Sequence, residues 1–155
     1  MRVLHIEDRR ENRLLVRKLL EARGFEVIDA IDGLVGLELA RTVGPDLILV
    51  DINIPGLDGY EVVTRLKGEA ALAETPVVAI TAEGDRGRAL ALGFDGFIMK
   101  PIKMGEFVGQ LHDFLQGKKE VIPEDERADH LVEHNRRVVD RLLAKVRELT
   151  HAHER

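Results

Sequence analysis

The chain of 155 residues has no cysteine, no tryptophan and a single tyrosine, Tyr60. Without cysteine there is no disulfide framework and no thiolate chemistry, which suits the cytoplasm as the expected compartment. Long apolar runs are missing too, so no segment is expected to span a bilayer. The N-terminus reaches Glu7 and Asp8 too early to be a signal peptide. An excess of positive charge is also lacking: the net charge is -5, which argues against direct binding of nucleic acid. What remains is 45% apolar and 33% charged residues, the balance of a soluble globular domain with room for one appended element.

Short β-rich runs alternate with helical patterns. Val3 to Ile6 reads as a strand, and Leu14, Leu15, Leu19 and Leu20 recur at helical spacing up to Gly24. Phe25 to Ala30 is a second strand, followed by a helix marked by Leu34, Leu37, Leu39 and Ala40. Leu47 to Val50 is continuously apolar, as a parallel strand covered on both faces must be. A loop with Pro55, Gly56 and Gly59 leads into a short helix from Tyr60 to Lys67. Val77 to Ile80 and Phe97 to Met99 are the last two strands, and a closing helix carries Met104, Phe107, Val108, Leu111, Phe114 and Leu115 on one face. This alternation predicts an open, doubly wound five-stranded parallel α/β sheet.

In such sheets functional groups gather beyond the carboxyl ends of the strands, near the point where strand order reverses. Glu7 and Asp8 follow the first strand, Asp51 ends the third, Thr81 the fourth and Lys100 the fifth. Any one of these alone reads as a loop-capping polar residue. All five in one register read as a site. Crowded carboxylates repel, so they favour a hard cation such as Mg²⁺. An Asp held against that cation and a lysine can accept a phosphoryl group, with catalysis resting on positioning and charge neutralisation.

The stretches VLHIEDR, LILVDINIPGLDGYEV, VVAITA and GFIMKPI resemble the receiver domain of bacterial two-component response regulators over residues 1–117. The resemblance implies a flavodoxin-like fold, here with an added C-terminal helix. It implies that Asp51 is the phosphoacceptor, served by a phosphohistidine on a sensor histidine kinase or phosphotransfer protein. Asp8, with Glu7 acting through water, matches the acidic Mg²⁺ pair, and the backbone carbonyl of Asn53 is a further implied ligand. Lys100 matches the phosphate-neutralising lysine, Thr81 the switch hydroxyl and Phe97 the aromatic switch residue. Lys100-Pro101 matches a cis peptide. Signal output is implied at the face made by the fourth helix, fifth strand and fifth helix.

Two features depart from that family. Glu7 extends the reach of the first acidic position by one methylene. Thr81 and Lys100 lie closer in sequence than is usual, by about one helical turn. The intervening Glu83-Gly84-Asp85-Arg86-Gly87 is also a poor helix former, so a short or partly unwound fourth helix is expected.

Residues 118–127 read as a charged linker and 128–152 as an amphipathic helix. Val132, Asn135, Val139, Leu142, Val146 and Leu149 follow steps of three and four, the rhythm of a coiled-coil seam that can join two copies of the chain. The other reading is a helix that packs back on its own domain. His130 and His134 stand four apart but lack a third metal ligand. Arg136, Arg137 and Arg141 read as a solvated face, His151 and His153 as residues of a fraying end, and His5 as structural.

Three functional classes fit these residues. The leading one is a phosphorylation-dependent signalling switch, not an enzyme beyond its own phosphorylation and dephosphorylation. A phosphate-independent dimeric adaptor is the second. An aspartyl-phosphate phosphatase is the third, and it needs a general acid two residues after Asp51, where Asn53 stands.

Overall fold

The computed structural model describes the backbone of residues 1–82 and 85–153, with side chains as far as residue 149. Strands β1 (Arg2–Ile6), β2 (Glu26–Ala30), β3 (Leu47–Val50), β4 (Val77–Thr81) and β5 (Gly96–Met99) form one parallel sheet in the order β2-β1-β3-β4-β5. Strand order reverses between β1 and β3, which places the switch point beside Glu7, Asp8 and Asp51.

Side chains alternate between the two faces of each strand. Leu47 and Leu49 join the core formed with Val16 and Leu20 of α1 (Arg10–Glu21) and with Phe107, Leu111 and Phe114 of α5 (Met104–Leu115). Ile48 and Val50 join the opposite core. That core is built with Leu37 and Ala40 of α2 (Gly33–Val43), Val62, Val63 and Leu66 of α3 (Gly59–Lys67) and Ala89 of α4 (Arg86–Leu92). All four β3 side chains are buried, which explains why that strand needs an unbroken apolar run.

Aspartates start the helices that border the switch point. Asp32 accepts from the Val35 N–H, Asp58 from the Glu61 N–H and Asp85 from the Arg88 N–H, each satisfying an otherwise orphaned donor. After Asp85, α4 is seven residues long and ends at Gly93, whose φ of 120° suits glycine. Of the glycine-rich stretch that suggested a short fourth helix, Glu83 and Gly84 lie outside the described residues.

The tail forms one helix, α6 (Glu124–His153), 30 residues and thus about 45 Å long. It begins four residues before the start expected at 128, inside the segment read as linker. The charges that suggested a linker are its first turn: Glu124, Asp125 and Glu126 complement the positive end of the helix, and the Arg127 N–H donates to the Pro123 carbonyl at 2.9 Å. A salt bridge of 2.5 Å between Arg86 and Glu120, and the Glu120 N–H on the Asp95 carbonyl at 2.8 Å, fasten the connection to the domain.

The N-terminal half of α6 lies on α4. His134 is buried there, with Leu131 and Val138 half-buried beside it. The His130 imidazole sits directly on Gly87: a Cβ there would stand 2.2 Å from His130 Nε2. Docking thus uses Leu131, His134 and Val138, whereas the heptad residues Val132, Val139, Leu142, Val146 and Leu149 stay exposed.

Candidate functional site

The acceptor edge is built by strand ends whose positions the hydrogen-bond register dictates. The Asp51 N–H donates to the Ile6 carbonyl at 3.0 Å and the Glu7 N–H to the Ala30 carbonyl at 2.9 Å, which sets both carboxylates at one level of the sheet. The Lys100 N–H donates to the Thr81 carbonyl at 2.9 Å and holds the lysine at the same edge, followed by the cis Lys100-Pro101 peptide.

Asp51 is bonded on both oxygens. Oδ1 accepts from the Asn53 N–H at 3.0 Å and Oδ2 from Lys100 Nζ at 3.0 Å. Lys100 Nζ also reaches Glu7 Oε1 at 3.3 Å, the oxygen that the Asn12 amide contacts from α1. Burial pushes Glu7 up to about 7, and the neighbouring Asp51 carboxyl pushes the same way. Burial acts to raise Asp51 as well, but the neighbouring Glu7 carboxyl and the bonds from the Asn53 N–H and Lys100 outweigh it and hold the Asp51 carboxyl below the usual value. Burial therefore disfavours charge on Glu7, while the bonds that Asp51 accepts favour charge there.

The edge opens on a cavity of about 380 Å³ lined by Asp8, Asp51, Asn53, Thr81 and Lys100, together with Arg9, Asn12 and Ala82. Thr81 is buried, and its Oγ1 accepts from Asn53 Nδ2 at 3.3 Å. Phe97 sits on β5 away from this cavity, half-buried against the core on the α2–α4 face. The structure thus gathers Glu7, Asp8, Asp51, Asn53, Thr81 and Lys100 and leaves Phe97 one layer behind.

A divalent cation fits this edge. One carboxylate oxygen each from Glu7, Asp8 and Asp51 lie within 4.8 Å of one another, the one such group of three among the described residues. Glu7 Oε2 is buried with no hydrogen-bond partner, the kind of orphaned acceptor that a metal-bound water or the ion itself would satisfy.

Several contributors were not legible from sequence. Arg13 donates to the carbonyls of Glu7 at 3.0 Å and Asp8 at 2.7 Å and so shapes the acidic turn. Asn12 would have needed the signal that a residue one helical turn past Asp8 faces the strand ends. Further out, Arg88 of α4 lies 3.9 Å over the Tyr60 ring and donates from Nε to His134 Nδ1 of α6 at 2.9 Å. Tyr60 Oη in turn accepts from the Asp85 N–H at 3.2 Å, and Arg141 of α6 stands 3.7 Å from Asp58. Engaged by Arg88, His134 has no Nδ1 lone pair left for a metal shared with His130. Arg136 and Arg137 are exposed and reach Glu133 at 3.4 and 3.5 Å on their own helix. His5 is buried in β1, and that burial lowers its pKa to about 4, so it is neutral and structural. The side chains of His151 and His153 lie outside the described residues. Among the described residues, no helix is long and apolar enough to cross a membrane.

Comparison with known proteins agrees with this geometry. Residues 3–112 match the family model for the response regulator receiver domain, which stops short of α6. The polar-differentiation response regulator DivK of Brucella ovis is 40% identical over 116 residues, covering 73% of this chain and 94% of that protein. The chemotaxis protein CheY4 of Vibrio cholerae superposes with a TM-score of 0.68 at 28% identity, over 72% of this chain and 95% of that one. The signal receiver domain of a signal transduction histidine kinase from Syntrophus aciditrophicus gives 0.69 at 29% identity, over 79% and 96%. With its parallel sheet, its acidic edge and these relatives, the chain belongs to the response regulator receiver family and is a signalling protein of the two-component type.

Proposed function

We propose that Asp51 accepts a phosphoryl group from a phosphohistidine on a sensor histidine kinase or phosphotransfer protein. The observation that carries this is an Asp51 carboxylate bonded on both oxygens, by the Asn53 N–H and Lys100, and open to a cavity of about 380 Å³. An Asp51 oxygen forms the new O–P bond while the P–N bond of the donor breaks, and the imidazole leaves with the electron pair and takes up a proton. Lys100 neutralises the charge that accumulates on the phosphoryl oxygens. Asp8, Asp51, the Asn53 carbonyl and, through water, Glu7 would hold Mg²⁺, which would further neutralise the same oxygens.

In this reading phosphorylation adds roughly two charges and three acceptor oxygens at the edge. Thr81 turns toward them, leaving its bond with Asn53, and Phe97 follows into the space released. The change leaves through the α4–β5–α5 face, and α6 receives it because it is already seated on α4. Residues 128–152 join two copies, which makes oligomeric state an output of the chain. A phosphatase reading is disfavoured, because the Asn53 amide donates to Thr81 where an acid would have to stand.

The test is mass spectrometry of the intact chain after incubation with acetyl phosphate and Mg²⁺. Wild type gains one phosphoryl group and Asp51→Asn gains none. An unmodified wild type, folded by circular dichroism, sinks the proposal.

A further inference from the structure

The helix α6 has two apolar faces, and the domain covers only one. At 100° per residue, the docked residues Leu131, His134 and Val138 and the seam residues Val132, Val139, Leu142, Val146 and Leu149 centre about 80° apart around the helix. The seam residues are between 52% and 70% exposed, and Leu143 beside them is 49% exposed. Every described residue from Val139 to Leu149 is exposed. The distal half of α6 thus projects with its apolar stripe uncovered, an arrangement that an isolated helix of this length does not sustain well in water.

We infer that this seam binds the same seam of a second copy as a parallel, in-register coil, while the docked face stays on α4. The pattern is self-complementary, with valine at 132, 139 and 146 and leucine at 142 and 149, a division that favours parallel two-stranded coils. Asn135 decides the direction. In the parallel register it meets Asn135 of the second copy, and two amides can satisfy one another. In the antiparallel alternative, where 132 pairs with 149 and 139 with 142, Asn135 faces Val146 and its amide is buried without a partner.

The angle between the faces also matters. A two-fold axis along the coil sends the two receiver domains to opposite sides of it. Docking and dimerisation are therefore compatible, and one rigid helix carries both. The inference deepens the proposed homodimer and does not depend on phosphoryl chemistry at Asp51.

The native absence of cysteine makes the test direct. Single Val139→Cys, Val146→Cys and Glu148→Cys variants of the full chain are oxidised under non-denaturing conditions and run on non-reducing gels. The two seam variants should cross-link almost completely, and Glu148→Cys, far around the helix, should remain single chains. Light scattering of wild type should give the mass of two chains, and Val139→Asp combined with Val146→Asp the mass of one. Acetyl phosphate labelling of Asp51 is followed on the same samples, so that failure of the dimer and failure of the acceptor site are read separately. A monomeric wild type overturns the inference. So does preferential cross-linking in a mixture of Val132→Cys and Leu149→Cys, which reports an antiparallel pair.

Discussion

The acceptor edge and the α4–α6 edge are neighbours, separated by a cleft of about 450 Å³ that Asn53, Asp58, Tyr60, Arg88 and Arg141 line together. They are held by different means. At the acceptor edge, backbone register fixes the charged groups: Asp51, Glu7 and Lys100 are each tied by a main-chain bond to a neighbouring strand. At the α4–α6 edge side chains do the holding, through Arg88 between Tyr60 and His134 and the fit of His130 over Gly87. Rigid backbone suits a site that must present charge in one geometry. Side-chain packing over a seven-residue helix suits an element that must yield when the site changes.

Two glycines sharpen this contrast, because both sit under a close neighbour. A Cβ at Gly59 would stand 2.6 Å from Ile52 Cα and 2.8 Å from the Asp51 carbonyl oxygen, and backbone cannot move aside there. Gly59→Ala should therefore destabilise the domain by about 2–3 kcal/mol, seen as a lower urea midpoint at unchanged slope, and slow the labelling of Asp51. Unchanged labelling and stability would mean that the loop tolerates displacement and that the backbone argument is wrong.

At Gly87 the obstacle is the imidazole of His130, the end of a side chain that can swing away. Gly87→Ala should leave the urea midpoint nearly unchanged, because better helix propensity in α4, worth about 1 kcal/mol, offsets the lost contact. Hydrogen exchange should quicken over residues 128–141 while Asp51 labelling stays at the wild-type rate. A large fall in labelling would show that the two edges are one unit.

Acidification should act on the α6 edge through His134. Its pKa is held below the usual 6.5, first by burial and then by Arg88; Arg141 and Arg137 act in the same direction and Asp58 opposes them. Tyr60 contributes an uncharged ring at 6.1 Å. Because the folded value lies below the unfolded one, the contribution is complete above 6.5 and is lost as pH falls through the folded value. Exchange protection of residues 128–141 should weaken on acidification below 6.5, and His134→Gln should flatten that dependence.

The smallest effect belongs to Arg141→Ala. The pair with Asp58 is 3.7 Å long and Arg141 is 55% exposed, so global stability should change by less than about 0.5 kcal/mol in thermal unfolding. A change several times larger would make this ion pair a principal fastener of α6.

Much of this molecule was readable before its coordinates. The apolar run Leu47 to Val50 announced a strand covered on both faces, and the polar residues that end each strand pointed to one edge. Period-two and strand-end patterns are local, and a parallel sheet converts them into a site with little freedom left. Arg88 and Tyr60 were not readable, because their roles come from partners far away along the chain: Arg88 and His134 are 46 residues apart. The helix α6 also starts four residues ahead of position 128. Glu124 to Arg127 have the composition of a solvated connector, and only the cap at Pro123 and the docking of the following turns make them helix.

For the tail, the sequence offered two alternatives, a seam between copies or a helix folded back, and the N-terminal half of α6 is folded back on α4. The sequence alone determined the heptad spacing and the placing of Glu7, Asp8, Asp51, Thr81 and Lys100 at strand ends, because periodicity and the residue that closes each strand are properties of the chain itself. Only the tertiary structure decided which face of α6 is spent on α4. That choice depends on Gly87 letting His130 approach and on Arg88 meeting His134, contacts between elements that no local pattern encodes.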